Sequence, residues 1–360
     1  SRNRADWLLG VNSSYAICKA VGFGNNSLGR VQTPVLAEIC RRYRERENFL
    51  PADSWPVFVS LCKDRQIIKL RHTEDFQEYR YASELYGDCK AVRNARIAAV
   101  SRESEDIRAP APYNLTELQK DANRYHNLTA IQVQDITQGL YEKKLITYPR
   151  TDSQYLTEDM EQTARNVVRQ IYEKYQLTGP FDQPEQPDVK KVMNNSKVTD
   201  HHAIIPTMEL ASCHLDELKS WEEKILFLIA VHTVMAMSKD HIYQETEIEV
   251  ECQGEIFKAK GRTVLQDGWK LFENCFKNKD RMAIVDPDQE MKERMPKVTQ
   301  GQTFYAVAAE KTEHFTSPPK PYSEDTLLAA METAGNKEFD EDTEKKGLGT
   351  PATRAGIIEK

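Results

Sequence analysis

Three proline-rich stretches, Ala109-Pro-Ala-Pro-Tyr113, Gly179-Pro-Phe-Asp-Gln-Pro-Glu-Gln-Pro187 and Ser317-Pro-Pro-Lys-Pro321, limit what this chain can fold into more than any other feature. Neither a helix interior nor a central strand can run through them, because proline lacks the N–H and fixes φ. They punctuate a chain of 360 residues, longer than the roughly 250 to 300 residues at which one core stops growing, so two or three domains are expected. Between the first and third stretches lie a helical middle, residues 111–237, and a strand-like part from 240 to 315. In the latter, Thr246-Glu-Ile-Glu-Val-Glu251 alternates polar and apolar, and Gln253-Gly254 supplies a turn before Ile256-Phe-Lys-Ala-Lys260, which predicts a hairpin. Val57-Phe-Val-Ser-Leu61 and Ile67-Ile-Lys-Leu70 also read as strands and precede the helical middle. Pairing them with the later strands makes that middle an insertion.

Residues 1–50 read as helices, with Ala5, Leu8 and Leu9, then Val35, Leu36 and Ile39, on apolar faces; a further helix opens at Tyr322 with Ser323 as N-cap. Lys337 to Lys346 is a charge run that reads as a loop. A net charge of −7 excludes a uniformly basic coat, yet residues 1–50 hold eight Lys and Arg against four Asp and Glu, which leaves a basic patch available. No run approaches the roughly 18 apolar residues of a membrane span. Seven widely spaced cysteines without a Cys-x-x-Cys pair read as reduced thiols in a cytoplasmic protein, and Cys213-His214 with His201 and His202 matches no usual zinc spacing, so no metal ligands are assigned. Ser1 is not an initiator Met and is expected to be a cut rather than a natural start.

The most informative stretch runs from Leu115 to Ser153. Asn114 or Thr116 can cap a first helix and Thr129 a second, which extends to about Lys143 with Ile131, Ile136 and Leu140 inward and Gln134, Gln138 and Glu142 sharing another face. Leu145-Ile-Thr-Tyr-Pro follows, and Pro149 biases Tyr148 toward an extended backbone. Tyr148, Arg150 and Asp152 then emerge on one side, Thr147 and Thr151 on the other. A phenol is a weak nucleophile near neutral pH, since its pKa is about 10, and a nearby guanidinium both eases its ionisation and grips a phosphate bidentately. This is a workable phosphodiester site. Local geometry alone favours a plainer reading, in which Tyr148 is an edge-strand aromatic and Arg150 its solvated neighbour.

Six ordered blocks shift that balance. Arg4-Ala-Asp-Trp-Leu8 with Gly10 and Asn12; Gly29-Arg-Val-Gln-Thr-Pro34; Leu115-Thr-Glu-Leu-Gln-Lys-Asp-Ala-Asn123 with Leu140-Tyr-Glu142 and Ile146-Thr-Tyr-Pro-Arg-Thr-Asp-Ser153; His201-His-Ala-Ile-Ile-Pro-Thr207; Pro321-Tyr-Ser-Glu324 with Leu327, Met331 and Glu332; and Gly347-Leu-Gly-Thr-Pro-Ala-Thr-Arg354 together resemble type IA DNA topoisomerases. The resemblance spans the chain, and its Tyr-Pro-Arg-Thr-Asp and His-His-Ala-Ile-Ile-Pro-Thr forms are closer to the topoisomerase III branch. It implies that Tyr148 attacks a phosphate of single-stranded DNA and forms a 5'-phosphotyrosine bond, which conserves the bond energy and makes ATP unnecessary. Arg150 would hold the scissile phosphate, His201 would contact it, and His202 would be structural. Gln138 and Glu142 match polar active-site positions. Arg4, Asn12, Arg30 and Gln32 would line the strand-bearing groove; Thr147, Thr151 and Asp152 flank the tyrosine as further DNA contacts; Ser323 and Thr353 or Arg354 belong to groove motifs. Ser14-Tyr15 stands where the family commonly has Thr-Arg, which puts a phosphate contact there in doubt.

The implied fold is multidomain α+β, a torus made of a helical groove domain (1–55 and 316–360), a β-rich arch (56–110 and 238–315) and an inserted helical gate domain (111–237) bearing Tyr148, with compliance at the proline stretches 109–113 and 317–321. Family members also carry an N-terminal TOPRIM domain whose acidic cluster binds Mg2+. Only Asp286-Pro-Asp-Gln-Glu290 has that form here, after the tyrosine and proline-interrupted, and it reads as a chance match in a loop. The expectation is a fragment that holds no Mg2+ itself and is not competent alone. Its partner is single-stranded DNA; no membrane or oligomer is indicated. A noncatalytic single-stranded DNA clamp is the alternative. Another tyrosine nuclease fits less well: a relaxase needs His-hydrophobe-His where His201 and His202 are adjacent, and a recombinase needs dispersed arginines ahead of a tyrosine near its C-terminus.

Overall fold

The computed structural model describes residues 4, 6–22, 27–177, 187–198, 200–273, 296–305, 307–336 and 347–360. Most of the second proline stretch, the Lys337 to Lys346 run, Cys275 and the Asp286 to Glu290 string lie outside the described residues.

A π-helical segment, Asp6–Val11, leads into α1 (Asn12–Val21), and α2 (Gln32–Glu47) follows. The apolar faces expected here are only partly covered. Val35 is buried against Leu327 and Met331, but Leu8, Leu9, Leu36 and Ile39 are exposed, so the amphipathic pattern gave the helices without giving their partners.

Strands β1 (Asp53–Ser54), β2 (Val57–Lys63) and β3 (Gln66–His72) come next, then α3 (Tyr79–Val92) and the long β4 (Ala95–Ile107). After the helical middle come β5 (His241–Cys252), β6 (Glu255–Gln266), β7 (Thr303–Phe304), β8 (Ala308–Lys311) and β9 (His314–Phe315). A seven-stranded antiparallel sheet takes the order β7-β4-β5-β6-β3-β2-β8, and β1 pairs with β9. The β5–β6 hairpin turns on Gln253 and Gly254, both at positive φ (58° and 80°), the two-residue geometry that matches the twist of paired strands. One sheet face buries Val57, Val59, Leu61, Ile248, Val250 and Phe257 under Ala82, Leu85 and Cys89 of α3. The opposite face of β5 and β6 is an ion-paired lattice, with Lys258 2.6 Å from Glu249 and Lys260 2.8 Å from Glu245. Strands from both sides of the helical middle therefore share one sheet. Ile107, the last residue of β4, pairs with His241, the first of β5, so the chain leaves and re-enters the sheet at neighbouring points.

Between those points are α4 (Leu115–His126), α5 (Ala130–Glu142), α6 (Glu161–Tyr175) and α7 (Ser220–Ala236), joined by short 3-10 turns around a second core. Helix α7 is buried from Ile225 to Ala236 apart from half-buried Phe227, the mark of a central helix. Asn114, not Thr116, caps α4 by accepting the Glu117 N–H at 2.8 Å, and Thr129 caps α5 in a capping box with Gln132. The buried side of α5 is Ala130, Val133, Thr137 and Leu140, with Ile131 and Ile136 half-buried.

The chain ends with α8 (Glu324–Thr333), N-capped by Ser323, and α9 (Pro351–Ile358). Leu328 and Ala355 pack on Ala130, and Glu324 Oε2 accepts the Ala130 N–H at 2.7 Å, which docks the chain end on the helical insertion. Neither described proline stretch hangs loose. Ala109 N–H is held by Asp240 at 2.8 Å and the Ala111 carbonyl contacts His232 Nε2 at 2.8 Å, while Arg42 donates to the Lys320 carbonyl at 2.9 Å.

Candidate active site

The segment from Leu145 to Ser153 is zipped to the segment from His201 to Thr207. Ile146 bridges Pro206, Thr147 N–H donates to Ile205 O at 3.0 Å, and Thr207 N–H donates to Leu145 O at 3.0 Å. On the far side Tyr113 bridges Ile204, and Ala203 N–H donates to Tyr155 O at 2.9 Å. The reason is burial: Ala203, Ile204, Ile205 and Ile146 are all inside, and each of the three isoleucines contributes about 1.5–3 kcal/mol once removed from water. Blocks roughly fifty residues apart are thereby made one unit.

Side chains sort as the extended spacing expects, although bends at Pro149 and Arg150 interrupt the strand. Arg150 and Asp152 are exposed and Tyr148 half-buried, while Thr147, Pro149, Thr151 and Ser153 turn inward. The Tyr148 ring stands 4.3 Å from the His201 ring, centroid to centroid, and meets Tyr141 edge-on at 5.4 Å and 78°. His201 is exposed; His202 is half-buried and its Nδ1 sits 2.9 Å from the Ala203 carbonyl. Gln138 donates to the Glu142 carboxylate at 2.9 Å, so the shared helix face holds a bonded amide and acid. Lys143 and the Lys219 N–H both bond Glu222, tying the end of α5 to α7; burial raises that carboxyl, but these bonds outweigh it and its pKa falls below the usual range. Tyr148 and His201 are thus brought together on a scaffold fixed from two sides. Tyr141 was not singled out in the sequence, although its place beside Glu142 at the exposed end of α5 is the signal that could have found it.

Other expected DNA contacts are placed differently. The Thr147 hydroxyl donates to Ala203 O at 2.9 Å and accepts the Ile205 N–H at 3.0 Å; that of Thr151 donates to His201 O at 3.0 Å. Both threonines hold the histidine strand and do not face outward. Arg354 is 4% exposed, donating to Leu348 O at 3.1 Å, to Thr116 Oγ1 at 3.0 Å and to Glu332 at 3.2 Å. Burial lowers its pKa and Glu332 opposes that fall. It is a strut between α9, α8 and α4. Ser323 spends its hydroxyl on Asp325 and Thr326 at the start of α8. Arg4, Asn12 and Arg30 are exposed and Gln32 is half-buried. Arg30 helps line a cavity of about 230 Å³ with Gly10, Ser13, Gly29 and Thr33, and the Ser14 hydroxyl accepts the Leu28 N–H at 2.8 Å, which joins the first two blocks.

Among the described residues no group of three or more His, Cys, Asp or Glu side chains is placed to hold a metal. Among them no helix is long and apolar enough to cross a membrane.

A family model described as DNA topoisomerase matches residues 1–360. DNA topoisomerase 3 of Vibrio cholerae is 36% identical over 393 residues, covering all of this chain and 58% of the relative. That of Bacillus subtilis is 34% identical over 378 residues, covering all of this chain and 50% of the relative. The chain therefore spans little more than half the length of such relatives. Full-length topoisomerase I from Thermotoga maritima superimposes with a TM-score of 0.70 at 22% identity, over 98% of this chain and 54% of that one, a likeness of fold that supports the toroidal core. With its whole length matched by the family model and its fold shared with a solved member, this chain belongs to the type IA DNA topoisomerases.

Proposed function

We propose that this chain is the strand-cleaving core of a topoisomerase. The Tyr148 phenolic oxygen attacks a phosphodiester of single-stranded DNA, a bond forms between tyrosine and the 5'-phosphate, and the 3'-hydroxyl leaves; the reverse attack reseals the strand. Arg150 grips the non-bridging oxygens and His201 bonds the same phosphate, which stabilises charge as it develops. Glu142 and Gln138 supply the polar face on which the strand rests, and Arg4, Asn12, Arg30 and Gln32 guide it. The observation that carries this reading is the pairing of the Tyr148 and His201 rings at 4.3 Å beside an exposed Arg150. In the same reading residues 1–55 and 316–360 form the groove domain, 56–110 and 238–315 the arch, and 111–237 the gate. Mg2+ is held by a TOPRIM domain outside this sequence, and the intact enzyme relaxes or decatenates DNA in the cytoplasm.

The test is a single-stranded oligonucleotide labelled at its 3' end, incubated with the chain, a supplied TOPRIM domain and Mg2+, then denatured. A labelled covalent adduct is expected, and Tyr148→Phe abolishes it. An adduct that persists in Tyr148→Phe, or one that carries a 5' label instead, overturns the assignment. Binding with no adduct under any condition favours a noncatalytic clamp.

A further inference from the structure

Helix α1 carries Asn12, Tyr15 and Lys19 at i, i+3 and i+7, which puts them on one face. All three are exposed, Tyr15 to 63%. Lys19 Nζ stands 5.0 Å from the Tyr15 ring centroid, a cation beside a π face. Ser14, the neighbouring residue, turns away: its hydroxyl donates to Gly10 O at 2.5 Å and accepts the Leu28 N–H at 2.8 Å. The helix is thus anchored on one side to the loop before α2, and Tyr15 is left on the other. A tyrosine can interact with a nucleic acid through its ring, which is indifferent to salt, or through its hydroxyl. An aromatic ring with an ammonium alongside offers what a flexible single strand presents, a base to stack and a phosphate one step away. The excess of basic over acidic side chains in residues 1–50 favours an anionic occupant, and the exposed Tyr15 ring beside the Lys19 ammonium favours one whose charges alternate with flat bases, which a single strand has and an acidic peptide lacks.

We propose that Tyr15 is a stacking platform for a base of single-stranded DNA, with Lys19 and Asn12 holding the adjoining backbone; this rests on the reading of the chain as a topoisomerase core. The ring supplies contact energy that ions do not screen. Lys19 supplies the screened part.

Binding of this chain to a fluorescein-labelled thymidine oligonucleotide, read by anisotropy across a salt series, tests it. Tyr15→Ala weakens binding by about 5- to 150-fold, the range of one stacked base, while the slope of log K against log salt stays put. Tyr15→Phe binds as the unsubstituted chain does. Lys19→Gln shallows the slope by about 0.7, the increment for one single-strand phosphate. On an oligonucleotide of the same length made of abasic sites, Tyr15→Ala and the unsubstituted chain bind alike. The inference fails if Tyr15→Ala binds the thymidine strand normally, if its defect persists on the abasic strand, or if Tyr15→Phe does not restore binding. Failure of the unsubstituted chain to bind any single strand removes the underlying reading as well; survival of binding in Tyr15→Ala removes this inference alone.

Discussion

Arg354 shows at a single position how far a motif can mislead about what its residues touch. Its guanidinium is enclosed by Leu348, Thr116 and Glu332, so removing it leaves buried partners unsatisfied. Breaking a buried ion pair costs about 3–5 kcal/mol; since Glu332 is partly exposed, Arg354→Leu is expected to cost about 2–3 kcal/mol, read as a lower denaturant midpoint. Oligonucleotide affinity of the folded fraction should be unchanged. A variant of normal stability with weakened DNA binding would contradict the strut role. Alternation around Tyr148 was legible because a period of two needs only the local chain, and the outward Arg150 and Asp152 follow it. The depth of Arg354 was not, because its partners on α4 and α8 are 238 and 22 residues away.

Among the elements, α7 is the one on which the helical insertion depends. Its His232 stacks on Tyr113 at 3.6 Å and 13°, with Nε2 2.8 Å from the Ala111 carbonyl. Burial depresses its pKa below the ordinary value, and Asp121 and Glu117 only partly offset this. The unfolded chain therefore takes up a proton first as pH falls, so stability contributed by neutral His232 is complete above about pH 6.5 and is lost below it. Urea midpoints should drop between about pH 7 and pH 5, and His232→Phe, which keeps a ring against Tyr113, should flatten that dependence. An equally steep pH profile in His232→Phe would remove this assignment. Helices α4 and α5 could be read from their caps, and the β5–β6 hairpin from Gln253-Gly254. Helix α3 and strand β4 escaped notice. Ala82, Leu85 and Cys89 do repeat with helical spacing, but β4 ends in the polar run from Ser101 to Asp106, which forms a strand only because β5 pairs with it along its length.

At the level of the whole molecule, the insertion and the sheet have separate cores, and Trp269 and Phe272, which follow β6, pack on the insertion's core, the former donating its indole N–H to Ile107 O at 3.0 Å. Residues 108–240, expressed alone, are expected to fold cooperatively but less stably than in the full chain, because Phe272 no longer covers the core; circular dichroism and denaturant unfolding check this. A molten, non-cooperative fragment would mean that the sheet is needed to organise the helices. That the middle is inserted followed from strands on both flanks, whereas strand order, with β4 carried beside β5, depends on long-range pairing that no local pattern encodes. The pairing of Ile107 with His241 carries one more implication. Two backbone tethers lying side by side, about 4.8 Å apart, act as a flat spring. A flat ribbon bends most easily out of its own plane and is stiff within it, so any rocking of the helical body is expected out of the plane of the two paired tethers and not along it.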